Sequence, residues 1–159
     1  MTARPAKAAA LIVRRDDDHA AFQDGPDRAR VLVFGRETGG AYGLMEWTVA
    51  AAAGPPTGHG AHRHRGCEET FFVRAGRLEF LLGETVTTLQ AGDFVRVPPG
   101  VRHGYANRTD RPVALLVSIH PGGLETLLHK YRSDGGDPAG EAGFKAEAAA
   151  LFGSEFDLD

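Results

Sequence analysis

Along the middle of this 159-residue chain, apolar and polar residues alternate with a period close to two. The segments RVLVFG (30–35) and YGLMEWTVA (42–50) are rich in β-branched and aromatic residues, which predicts strands. Past Pro55 short runs succeed one another: ETFFVRAG, RLEFLLG, ETVTTLQAG, DFVRVPPG, VRHGYANRTD and RPVALLVSIHP. Turn residues separate them at intervals of roughly 8–12 residues, the rhythm of an antiparallel sandwich or barrel. AAALIV (8–13) predicts an earlier strand at a sheet edge, and RRDDDHAAFQDGPD (14–27) a polar loop. No helical run interrupts the stretch from Pro55 to His120, so the fold class is all-β.

Beyond HPGG the period changes. Leu124, Leu127, Leu128 and Tyr131 stand at i, i+3, i+4 and i+7, which predicts an amphipathic helix. SDGGDPAGEAG (133–143) reads as a flexible connection, and FKAEAAALFG (144–153) as a second, weaker helix.

Composition narrows the setting. One cysteine, Cys67, excludes an intrachain disulfide and points to a reducing, cytoplasmic environment. The N-terminal apolar run is too short for a signal peptide or a membrane span. A net charge of −3 with both signs intermixed gives no reason to expect nucleic acid as a partner.

The chemistry concentrates in GHGAHRHRGCEETFFVRAG (58–76). Side chains at i and i+2 of a strand share a face, so His62 and His64 project together and Arg63 opposes them. Glu69 lies an odd number of residues past His64. A turn at Arg65-Gly66-Cys67 resets the parity, so that Glu69 faces the two histidines across an antiparallel hairpin. Phe71 and Val73 follow Glu69 on one face, which makes that face apolar. Two imidazoles and a carboxylate aimed into an apolar interior call for a compensating cation. Imidazole and carboxylate donors suit divalent Fe, Mn, Ni, Co or Zn. His103, just after the Pro98-Pro99-Gly100 turn, is the best candidate for a fourth ligand.

These two segments resemble the two motifs of the cupin family. His62, His64, Glu69 and Gly76 fit the first, G-x5-H-x-H-x3,4-E-x6-G, apart from its leading glycine, whose slot holds Pro56. Gly92, Pro98, Gly100, His103 and Asn107 match the second, G-x5-P-x-G-x2-H-x3-N, in full. The resemblance implies a cupin jelly-roll β-barrel (a double-stranded β-helix) over 30–121. An N-terminal strand and polar loop would precede it over 1–29, and a short helical extension would follow over 122–159. It also implies one divalent metal ion held by His62, His64, Glu69 and His103. Phe71, Phe72, Phe80, Phe94, Tyr105, Met45 and Trp47 are candidates to line the interior.

Other residues have plainer readings. Glu68 is expected outside as a solvated partner of Arg65, His59 at the rim and Cys67 in a loop. Asn107 is expected to be structural, and Arg96 and Arg102 to face solvent or receive a substrate carboxylate. Tyr105 shares a face with His103, where a phenol could bind substrate or carry a proton.

The wording around the first motif, with HPGGLETLLHKY after the barrel, is most similar to single-domain quercetin dioxygenase-like cupins. That resemblance implies a metal-dependent enzyme acting on a small enolisable substrate, aromatic, flavonol-like or polyketide-like, with O2 as co-substrate. Glu69 and Tyr105 would be its catalytic residues. A cyclase or isomerase without O2 and a non-catalytic small-molecule-binding cupin are the alternatives. Many cupins dimerise, so the apolar strand at 8–13 is expected to pair with a second copy in a homodimer.

Overall fold

A computed structural model of the chain describes residues 10–52, 60–133 and 138–157. Among these residues eleven strands form two sheets. β1 (Ala20–Asp24), β2 (Asp27–Val33), β3 (Gly43–Val49), β5 (Glu68–Ala75), β8 (Phe94–Val97) and β10 (Val113–His120) make one, in the order β1-β2-β3-β10-β5-β8. β4 (His62–His64), β6 (Arg77–Leu82), β7 (Thr85–Gln90), β9 (His103–Ala106) and β11 (Ser154–Phe156) make the other, in the order β11-β4-β9-β6-β7. Every described pairing is antiparallel. The architecture is that of a double-stranded β-helix.

Alternation explains the core. β10 buries Val113, Leu115, Val117 and Ile119, while the residues between them are only partly covered. β3 buries Met45, Trp47 and Val49 in the same way, and β5 buries Glu69, Phe71 and Val73. Each large apolar side chain so covered contributes on the order of 2 kcal/mol. The carboxylate of Asp27, wholly buried, accepts the Trp47 indole N–H at 3.1 Å and the Ala50 amide at 2.9 Å, which fixes the tryptophan in the interior.

Two motif glycines have a visible purpose. Gly76 turns β5 into β6 with φ of 85°, and a Cβ there would sit 3.0 Å from Val113 Cγ2. Gly100 has φ of 80°, and its amide donates to the His64 carbonyl at 2.7 Å, tying the turn before β9 to β4. Asn107 is structural: its amide donates to the Ala50 and Arg111 carbonyls, and its oxygen accepts from Thr109.

Three elements differ from the sequence reading. Residues 10–13 form no strand, and Leu11 and Ile12 are exposed; residues 8 and 9 of that segment lie outside the described residues. The N-terminal strand lies instead at Ala20–Asp24, inside the expected loop. It carries a single large apolar residue, Phe22, too weak a pattern to read. What places it is that ring's edge-on packing against Trp47, with centroids 5.6 Å apart.

The second helix starts earlier than expected. Two helices follow β10, α1 (Leu124–Arg132) and α2 (Pro138–Phe152). Pro138 suits a first helical position. Gly143, which argued for a loop, is needed because a Cβ there would lie 2.7 Å from the Tyr131 ring. Finally, β11 follows α2 and pairs with β4, a strand with no pattern of its own.

α1 lays Leu124, Leu127 and Leu128 on the barrel. Its first turn is anchored by Glu125, a buried carboxylate that accepts the amides of Gly123 and Gly35, each at 2.7 Å. Among the described residues, no helix is long and apolar enough to cross a membrane.

Candidate metal centre

His62 and His64 point the same way from β4, and His103 faces His62 from β9, its register partner. Glu69 comes from β5. The expectation that Glu69 faces the histidines across a hairpin is corrected here: β4 and β5 lie in different sheets. The turn at 65–67 carries the chain from one layer to the other, and Glu69 reaches the imidazoles across the interior. Gly66 makes this crossing tight, donating its amide to the Phe152 carbonyl at 2.7 Å.

One donor atom from each of His62, His64, Glu69 and His103 lies within 4.8 Å of the other three. His103 Nε2 stands 2.6 Å from Glu69 Oε2, and His64 Nε2 stands 3.5 Å from the same oxygen. His64, Glu69 and His103 are buried, and His62 is partly buried.

Each ring is held through its other nitrogen. His62 Nδ1 donates to the Gly60 carbonyl at 3.2 Å, and His103 Nδ1 to the Val101 carbonyl at 3.0 Å. Carbonyls only accept, so both rings carry their proton on Nδ1 and leave Nε2 for the interior. His64 Nδ1 instead meets the Ser154 hydroxyl at 2.6 Å. Such outer partners fix ring orientation and tautomer in metal sites.

The electrostatics agree with this donor set. Burial, then the neighbouring His103 and His64, pushes His62 down to about 3. Burial also lowers His64. Burial opposes charge on Glu69, yet His64, the hydrogen bond from His103 and the charge of His103 together hold its carboxyl down at about 2. For His103 burial is likewise outweighed, by the hydrogen bond to Glu69, and its pKa is raised. Without a metal, the contact between His103 and Glu69 therefore favours the charged form of both. A divalent cation fits the same place: three imidazole nitrogens and one carboxylate oxygen suit first-row metals and zinc alike.

His62, His64 and Glu69 line a cavity of about 150 Å³, and His103 joins them through its contact with Glu69. Met45, Trp47, Phe71, Tyr105 and Val117 line it from the barrel, with Leu124 and Leu128 from α1 and Phe144 from α2. Parity sorts the other aromatic candidates. Phe80 is buried behind Phe71, whereas Phe72 and Phe94 are 39% and 60% exposed on the outer face. Tyr105 does share the interior with the histidines, and burial raises its phenol well above the usual range, so it stays protonated.

The remaining sequence candidates fall elsewhere. Glu68 points outward as expected, but its partner is Arg96 at 2.6 Å; Arg65 pairs with Glu155. Arg96 is exposed, and Arg102 pairs with Asp157 at the cavity edge. Cys67 lies in the turn between β4 and β5 as expected, but it is only 2% exposed, and burial pushes its thiol up to about 12, so it is inert. His59 lies outside the described residues.

Several lining residues had no signal in the sequence. Phe156 stacks on His62 with centroids 5.9 Å apart. Arg132, buried at the far wall, bonds Asp24 at 2.9 Å and Glu141 at 2.8 Å and lies over the Phe144 ring. The contacts of Phe156 and Arg132 join segments far apart in the chain, which local periodicity cannot report.

Comparison with known proteins agrees with this architecture. The model of the cupin domain family matches residues 47–120. Residues 47–120 are a cupin domain. No curated protein matches it. Among solved structures it is similar to KdgF from Halomonas sp., with TM-score 0.59 and 15% identity, covering 74% of this chain and 98% of that one. It is also similar to Pac13 from Streptomyces, a nucleoside dehydratase, with TM-score 0.57 and 15% identity, covering 74% and 88%. A conserved double-stranded β-helix protein from Klebsiella pneumoniae has TM-score 0.51 and 24% identity, covering 64% and 82%. At these identities the likeness concerns the fold alone.

Proposed function

We propose that this cupin is a metal-dependent enzyme acting on a small enolisable substrate inside the barrel. The observation that carries the reading is the convergence of His62, His64, Glu69 and His103 beside a mainly apolar cavity that three of them line. Burying three imidazoles and a carboxylate together serves no packing purpose. Bound there, a divalent cation supplies Lewis acidity, lowering the pKa of a substrate hydroxyl or of a C–H beside a carbonyl.

Cavity size narrows the substrate class proposed from sequence. About 150 Å³ is the scale of an engineered cavity that takes up benzene. A single ring matches that space, and a larger flavonol would have to extend through its open side.

The protein's own groups divide the remaining work. Glu69, held near 2, is a strong ligand and a weak base, which favours coordination over proton abstraction as its role. Tyr105, held protonated, is suited to donate a hydrogen bond to a substrate oxygen and so orient the ring. Trp47 and Phe71 supply apolar walls, and α1 and α2 add Leu124, Leu128 and Phe144 to them.

O2-dependent cleavage of the enolised substrate is the first reaction class. Elimination, cyclisation or isomerisation without O2 is the second, and it shares the enolisation step. Metal analysis of protein purified without added metal, with turnover assayed aerobically and anaerobically, tests both. Bound Fe or Mn with O2-dependent turnover supports the dioxygenase; Zn with equal anaerobic turnover supports the second class. Tight binding of single-ring enols without turnover in either atmosphere would leave a binding protein. A cytoplasmic homodimer also remains a proposal; with no strand at 10–13 it needs another contact, and light scattering measures its mass.

A further inference from the structure

We propose that Ser154 is a positioning residue of the metal centre: its hydroxyl accepts a hydrogen bond from His64 Nδ1–H and keeps that ring's Nε2 lone pair turned inward. The inference rests on the four-donor reading above and adds to it a residue from the C-terminal strand, outside both histidine-bearing segments.

The three imidazoles are not held alike. His62 and His103 each donate Nδ1–H to the carbonyl two residues earlier, Gly60 and Val101. That device is local, and each segment brings it along. His64 has Ser154 Oγ in the corresponding place, at 2.6 Å and 90 residues away in sequence. Ser154 is buried, at 5% exposure, and is the register partner of His64 in the β11–β4 ladder. The ring between them directs Nε2 toward Glu69 Oε2 at 3.5 Å.

The hydroxyl is not what holds the strand in place. Backbone pairing joins Ser154, Glu155 and Phe156 to β4, and the Asp157 amide donates to the Ala61 carbonyl at 2.9 Å. Glu155 adds ion pairs to Arg65 at 2.6 Å and Arg63 at 3.3 Å. Removing one hydroxyl therefore leaves β11 docked and frees the His64 ring to rotate or to move its proton to Nε2. Loss of an outer partner of this kind typically costs about 10–100-fold in metal affinity.

The test is a Co(II) titration, followed by absorption, of wild type, Ser154→Ala and Ser154→Thr, with melting temperatures of the metal-free forms alongside. The expected result is a dissociation constant raised about 10–100-fold in Ser154→Ala with an altered ligand-field spectrum. Ser154→Thr, which keeps the hydroxyl, is expected to recover both. A Ser154→Ala protein with wild-type affinity and spectrum would overturn the inference while leaving the donor set standing. Wild type that binds no Co(II) would overturn the donor set and this inference with it. Should Ser154→Ala not fold, the Zn(II)-loaded wild type decides by long-range 1H–15N correlation: a proton on His64 Nδ1 supports the assignment, and its absence overturns it.

Discussion

The cavity has two halves of unlike origin. One, from residues 60–120, carries all four donor atoms, their turn glycines and most of the apolar floor. The other, from α1, α2 and β11, carries no donor and yet encloses the first, with Leu124, Leu128, Phe144 and Phe156 as cover. Chemistry sits in strands whose parity is local, and containment is delivered by segments that arrive from far along the chain. The two halves should therefore fail differently when altered.

Substitution in the donor half has the largest expected effect. His103→Ala or His62→Ala should lower metal affinity by more than about 100-fold while the barrel still folds, read by calorimetric titration and circular dichroism. Full retention of metal in both would remove the site.

Acid should expose the same half in metal-free protein. Burial, then His103 and His64, holds folded His62 at about 3, against a usual value of 6.5. Between those values the unfolded chain binds a proton that the folded chain refuses. Stability should thus fall on acidification below 6.5, by up to about 1.4 kcal/mol per pH unit for this group. His103, raised by Glu69 against its burial, has the opposite sign: its contribution is complete below 6.5 and fades as pH rises through its folded value. Urea midpoints of chelator-treated protein should therefore peak near neutrality. In His62→Ala the acid limb should be shallower, with His64 sustaining the remainder.

Apart from Ser154, which acts on the His64 ring, the enclosing half should answer in substrate binding. Phe156→Ala removes the ring stacked on His62, and the partly buried site should cost about 2 kcal/mol of stability, less than a fully buried phenylalanine. KM should rise while Co(II) affinity stays within a few-fold of wild type. An equal loss of metal affinity would erase the distinction between the halves. Smallest of all, Glu68→Gln breaks an exposed pair with Arg96 and should leave melting temperature and metal affinity unchanged.

The sequence shows the donor half well, and for physical reasons. Period-two burial along β5 put Glu69, Phe71 and Val73 on one face, and the spacing of His62 and His64 put them on another. The same period is silent on which sheet a strand joins, so the hairpin between β4 and β5 was a reasonable expectation and a wrong one. Ser154 and Phe156 were illegible because their meaning lies in pairing with β4, not in their neighbours. Phe22 hid for the same reason, since Trp47 makes its strand and no local alternation does.

The division of donors between layers has one more consequence. Three imidazoles ride on one sheet and the carboxylate on the other, so the site works as a gauge of the gap between them. A substitution deep in the packing, such as Val73→Ala or Leu115→Val, replaces no donor but alters how the layers seat. Its signature would be drift in metal affinity with every donor intact, so a scan of the core would read the spacing of the sandwich through its chemistry.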